Sequence, residues 1–110
     1  MNRLCPSLAA VALFLAGLPV FAADAKENWD QYCAKCHAAD GSGKCKMGLK
    51  LKVKDYTDPA VQAALTDDEM VKTTAEGSTK EGRELMKGFK DDLSEKEIKD
   101  LVAYIRSLKK

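Results

Sequence analysis

One histidine, His37, stands in the whole 110-residue chain, beside one tryptophan and three prolines. A single imidazole excludes the multi-histidine metal centres. Charge of one sign is also missing. The 18 basic and 17 acidic residues give a net charge of +1, far from the basicity that marks a nucleic-acid binder. Long apolar runs are absent, because the longest, Leu8 to Val20, is too short to span a bilayer. Strand alternation is nearly absent. Leu49 to Lys54 alternates briefly without a pairing partner, and no hairpin signal is visible. No internal repeat or low-complexity linker occurs. No carboxylate pair or nucleophile–base arrangement stands out, so the chain is not expected to be an enzyme.

What is present begins with an export signal. Arg3 precedes the apolar run, and Val20-Phe21-Ala22 places small or apolar residues before an expected cut after Ala22. Ala23-Asp24-Ala25 offers a second site. Cys5 lies before the apolar run, where a lipid-anchor cysteine would not stand. Residues 1–22 are therefore expected to be removed, leaving 23–110 as one domain. A domain this small buries a marginal core by itself.

The densest chemistry is the pentapeptide Cys33-Ala34-Lys35-Cys36-His37. Two thiols three residues apart share one side of a helical turn. Cys-x-x-Cys-His is the spacing of covalent c-type haem attachment, with the two sulfurs as tethers and His37 as the proximal iron ligand. One motif and one histidine mean one haem. The other axial position then falls to a methionine, a lysine, the amino terminus, water or nothing. Two competing readings use the same residues. A thiol–disulfide oxidoreductase would place the motif after a strand in a βαβ setting, and none is visible. A zinc site from Cys33, Cys36, His37 and Cys45 has four ligands but atypically short spacing.

The remaining pattern is helical. A first helix is expected over about Lys26 to Cys36, with Trp29 and Tyr32 on one face. A Gly- and Lys-rich loop follows at Asp40 to Lys44. Asp58 and Pro59 start a short helix whose apolar stripe is Val61, Ala64 and Leu65. Thr66-Asp67-Asp68-Glu69 opens another helix, which Gly77 ends. Ser94-Glu95-Lys96-Glu97 caps the last, where Ile98, Leu101, Val102, Ile105 and Leu108 form one apolar face.

These residues together resemble the class I monohaem cytochromes c, in particular the short bacterial periplasmic forms, over essentially the whole of 23–110. Cys33, Cys36 and His37 match the haem motif, Trp29 an aromatic position one turn earlier, and Phe89 to Ile105 the C-terminal signature. The resemblance implies an all-α fold of three to five helices around one covalent haem c, with the N- and C-terminal helices crossing. It implies a distal iron ligand at Met86, in the loop before the last helix. The residues themselves leave Met47, Met70 and Met86 as candidates. Met70 reads as core, and Met47 lies only ten residues after His37. Met86 sits in a loop bounded by Gly82 and Gly88, so it is favoured, with Met47 second.

Three departures from the family pattern stand out. Lys87 follows Met86 where proline is common. No proline occurs between His37 and Pro59, so a backbone carbonyl near Met47–Leu49 is expected to accept the His37 Nδ1 proton. Ala25 stands near a position where a helix-packing glycine is frequent. Cys45 is left over once haem has taken two thiols. It reads as a small buried apolar residue, with an exposed dimerising or redox-sensing thiol as the alternative. Lys44, Lys46, Lys50, Lys52 and Lys54 read as a solvated loop or as a basic rim for an acidic redox partner. The expected function is a monomeric, soluble periplasmic electron carrier between unidentified redox proteins, with no nucleic-acid partner and no membrane insertion after signal removal. The alternative is a haem-based small-ligand sensor with a labile sixth ligand.

Overall fold

The computed structural model describes residues 20–110. The expected signal therefore lies almost wholly outside the described residues. No described helix is long and apolar enough to cross a membrane.

A continuous helical stretch opens the structure. It consists of α1 (Val20–Asn28), a π-helical turn (Trp29–Cys33) and α2 (Ala34–His37). Neither glycine nor proline interrupts residues 20–37. The stretch ends at Ala38, whose φ of 67° leaves the helical region. Ala25, Trp29 and Cys33, spaced by four, are buried. The π turn inserts one extra residue per turn, a device found at functional sites. Here it falls immediately before the Cys-x-x-Cys-His segment.

The next segment is tightly folded. Gly43 N donates to His37 O at 2.9 Å, and Leu49 N to Cys45 O at 2.9 Å. A short helix α3 (Lys46–Leu51) follows, and it ends at Lys52 with a φ of 56°. The brief alternation at 49–54 is therefore the end of a helix and a turn. Gly48 sits where a Cβ would collide with Gly43 O and lie 2.5 Å from Cys36 O. Only glycine lets α3 approach α2 so closely.

Helix α4 (Pro59–Ala64) starts as its sequence requires, with the Asp58 side chain accepting from Ala60 N and proline in the first turn. Its expected apolar stripe is not what is buried. Ala64 is exposed and Gln62 is buried at 4% exposure. The amide earns its place by hydrogen bonding, donating to Tyr56 O at 2.8 Å and Ile105 O at 2.9 Å.

Helix α5 (Asp67–Glu76) is capped by Thr66, which accepts from Glu69 N, and Gly77 closes it at a φ of 83°. Strands β1 (Ser78–Lys80) and β2 (Arg83–Met86) then form an antiparallel hairpin, with a bulge between Ser78 and Thr79. This overturns the absence of a hairpin inferred from sequence. The turn residues Glu81 and Gly82 both have positive φ, 53° and 74°. That is the two-residue geometry which matches strand twist. The charged, exposed strand residues hid it from a search for apolar alternation.

Helix α6 (Glu95–Ser107) carries the full capping box of Ser94 and Glu97. Ile98, Leu101, Val102 and Ile105 are all buried, as its spacing predicts. Helix α6 packs against α1 and α5. Trp29, 1% exposed, lies 5.7 Å from the Tyr104 ring, and Asn28 donates to Glu97 Oε2 at 3.2 Å. Each buried aliphatic side chain contributes roughly 1.5–3 kcal/mol. Arg106 ties three elements together. Its guanidinium donates to Gln62 O at 2.5 Å, Gln62 Oε1 at 3.0 Å, Leu65 O at 2.6 Å and Asp67 Oδ1 at 2.8 Å.

Candidate functional site

A cavity of about 280 Å³ opens between the first helical stretch, α5, β2 and α6. Its walls are mostly apolar, with Trp29, Leu65, Met70, Leu101 and Ile105 among them. Of the residues singled out from sequence, Cys33, His37 and Met86 line it, while Cys36 and Met47 do not. Met47 is half-buried on α3, and Cys36 is half-buried on α2, three residues beyond Cys33. Met70 is core, as expected at 6% exposure, but it also faces the cavity.

Burial sets the chemistry of the two polar groups within this wall. It pushes the Cys33 thiol up to about 12, and neighbouring Cys36 adds to the shift. Cys33 is therefore a thiol at neutral pH rather than the thiolate a disulfide exchanger needs. Burial also lowers the His37 pKa, which keeps its imidazole neutral and able to give a lone pair to a metal. His37 Nδ1 is buried without a hydrogen-bond partner. The carbonyl acceptor expected near Met47–Leu49 does not reach it. Residues 46–51 have coiled into α3, and Gly48 O accepts from Val53 N at 3.1 Å instead.

Met86 is held by its chain neighbours. Phe89 N donates to Thr74 O at 2.9 Å and Lys90 N to Ala75 O at 3.1 Å. Gly88 packs so closely on α5 that a Cβ would lie 2.7 Å from Ala75 O. Lys87 stands in place of the family's proline. It pairs with Asp92 at 3.0 Å and lies 5.6 Å from the Phe89 ring centroid. The segment after Met86 is thus fixed by backbone bonds to α5 and by this exposed pair.

Sequence reasoning missed Tyr56 and Gln62. Tyr56 lines the cavity, and its ring stacks on His37 at 5.3 Å and 24°. No periodic signal marks an aromatic in an irregular loop. Cys45 is neither fully buried nor a free surface thiol. It is half-buried, and its Sγ donates to Cys36 O at 3.3 Å and Lys35 O at 3.4 Å. Among the described residues no His/Cys/Asp/Glu group is placed to hold a metal ion, so the zinc reading finds no support. The five lysines at 44, 46, 50, 52 and 54 are all exposed, and Lys54 reaches the cavity mouth.

The residues present fit a haem. An apolar cavity, a buried thiol in its wall with a second one helical turn on, a neutral imidazole in the same wall and a thioether from a separate element are the donors and the surroundings it needs.

Comparison with known proteins agrees. The family profile described as cytochrome C oxidase, cbb3-type, subunit III matches residues 21–105. No curated protein sequence matches the chain. Among solved structures, the KustC0563 c-type cytochrome is similar, with a TM-score of 0.70 and 30% identity over 78% of this chain and 98% of that one. A point mutant of Kustc0563 gives a TM-score of 0.68, again at 30% identity, over 78% of this chain and 99% of its own.

Proposed function

The chain belongs to the class I c-type cytochromes, the family of the cbb3-type subunit III haem domain, and from that premise we propose that it is an exported one-electron carrier. The family is one of electron-transfer haem proteins. The finer reading is a soluble periplasmic shuttle with one covalent haem c and no substrate bond made or broken. Cys33 and Cys36 are its tethers, His37 its proximal ligand and Met86 its distal ligand.

The observation that carries this reading is the meeting of His37 and Met86, from separate elements, on one apolar cavity beside the buried Cys33. A bound haem supplies an iron that cycles between two oxidation states. The chain supplies the rest. Neutral His37 offers a nitrogen, and Met86 offers a sulfur fixed by the Phe89 and Lys90 backbone bonds to α5. The walls restrict water and so limit ligand exchange. The exposed lysines 44–54 offer a basic rim to an acidic redox partner, which speeds encounter more than it adds affinity.

The test is the optical spectrum of the purified holoprotein, oxidised and reduced, with and without carbon monoxide. The expected result is colour that survives acid–acetone extraction, a far-red iron–sulfur band when oxidised and no response to carbon monoxide when reduced. The Met86→Ala variant should lose the band and bind carbon monoxide. A wild-type protein that lacks the band and binds carbon monoxide would give the ligand-sensing alternative the lead.

A further inference from the structure

His37 has an unusual setting for a metal-binding imidazole. Such a ring is normally oriented by a hydrogen bond from its second nitrogen to a carbonyl or carboxylate. Here Nδ1 is buried and has no partner. Aromatic rings surround the imidazole instead. Tyr56 lies nearly parallel to it, at 5.3 Å and 24°, so it covers one face. Trp29 meets it at 5.8 Å and 41°.

Both rings are themselves tied down. Trp29 is 1% exposed, and its indole Nε1 donates to Ala38 O at 3.2 Å, the residue after His37. Tyr56 is fixed through its backbone. Its N donates to Gly41 O at 2.9 Å, and its O accepts from Gln62 Nε2 at 2.8 Å. Gln62 is in turn held by α6 through Ile105 O. A chain of bonds therefore runs from the last helix to the ring beside His37.

We infer that ring packing by Tyr56 and Trp29, rather than a hydrogen bond at Nδ1, sets the plane of the His37 imidazole. Both are positioning residues for the iron ligand. The inference rests on the reading of His37 as that ligand. It has a consequence for spectroscopy, because the plane of an axial imidazole governs how unpaired spin spreads over the porphyrin. The paramagnetic shifts of the four haem methyl groups in the oxidised protein report that plane directly. A residue that only stabilised the fold would leave them in place.

The experiment compares proton spectra of oxidised wild type, Tyr56→Phe and Tyr56→Leu. Phenylalanine keeps the ring, so Tyr56→Phe should keep the order and spread of the methyl resonances. Leucine removes the ring, so Tyr56→Leu should change both. A leucine variant with the wild-type pattern would overturn the inference. So would a phenylalanine variant shifted as far as the leucine one, because the hydroxyl would then be the acting group. A measurement on wild type guards against a leucine variant that does not fold. Overhauser contacts between the His37 and Tyr56 rings are expected in the reduced holoprotein, and their absence also overturns the inference. A chain recovered colourless from a haem-attaching host would instead overturn the premise of ligation.

Discussion

Replacing Gln62 with leucine tests how the last helix is coupled to the haem side of the molecule. The two side chains are close in volume, so the change removes hydrogen bonds without opening a large hole. Three bonds disappear, to Tyr56 O, to Ile105 O and from Arg106. They are not equal. Ile105 O keeps a second donor, Leu108 N at 3.1 Å. Arg106 keeps Gln62 O, Leu65 O and Asp67. Among the three, only Tyr56 O is left without another donor from the described residues, at a cost of about 1–3 kcal/mol, and the lost bond to a guanidinium adds about 1.5 kcal/mol. Leucine regains part of this through apolar burial. The expected net loss is about 2–3 kcal/mol, or roughly 10–20 °C in Tm for a domain of this size. Thermal and guanidinium unfolding of the haem-loaded protein measure it. The denaturant slope should stay unchanged, since the native surface does. A loss under about 1 kcal/mol would refute the account of Gln62 as the buried joint between α4, α6 and Tyr56.

Three further outcomes are expected. Gly48→Ala should cost about 3 kcal/mol or prevent recovery of holoprotein, because its Cβ would meet Gly43 O and Cys36 O; a variant as stable as wild type in denaturant would contradict the close approach. The Glu97 carboxyl is held below its ordinary value of 4.5, first by the Ser94 backbone and then by the Asn28 and Ser94 side chains. A lowered folded pKa means that its contribution is present above that value and lost as pH falls through the folded one. Melting curves from about pH 6 to about pH 3 should therefore show a shallower acid decline for Glu97→Gln than for wild type. Changing Lys46 and Lys50 together to Glu should reverse the salt dependence of haem reduction by the anionic complex Fe(EDTA)²⁻. In wild type added salt should slow that reaction even though loss of Arg3 with residues 1–22 leaves 17 basic against 17 acidic residues, and a flat wild-type response would argue against the basic rim.

Legibility followed the strength of local signals. The last helix could be read almost residue by residue, because Ser94, Glu97 and the apolar face from Ile98 to Ile105 state its start and its buried side. Asp58 and Pro59 fixed the start of α4 in the same way, but the buried residue on that helix was polar Gln62, whose partners lie far away in sequence. The hairpin escaped because its strands are short and charged, although Glu81-Gly82 carries the turn. The haem motif gave Cys33, Cys36 and His37 by spacing alone. Met86 followed from family resemblance and chain position, and the structure places it on the cavity. Tyr56 was invisible, since a loop aromatic becomes part of a site only once the loop is folded. The expected carbonyl partner of Nδ1 failed for a related reason, because the segment meant to supply it formed a helix and used its own carbonyls.

The contact between Asn28 and Glu97 joins residues 69 apart. That separation has a kinetic consequence. Closing a loop of this length costs on the order of 4 kcal/mol in chain entropy before any contact repays it. Helices α4 and α5 are tied to that same last helix, through Gln62, Leu65 and Asp67, so α6 closes both halves of the chain. On the reading proposed above, haem is attached to Cys33 and Cys36 while the two ends of the chain are still apart. Once the ends have met, Cys33 is enclosed at 8% exposure. On that reading tethering has to precede enclosure, because a chain that folds without haem closes over the thiol it needs to present.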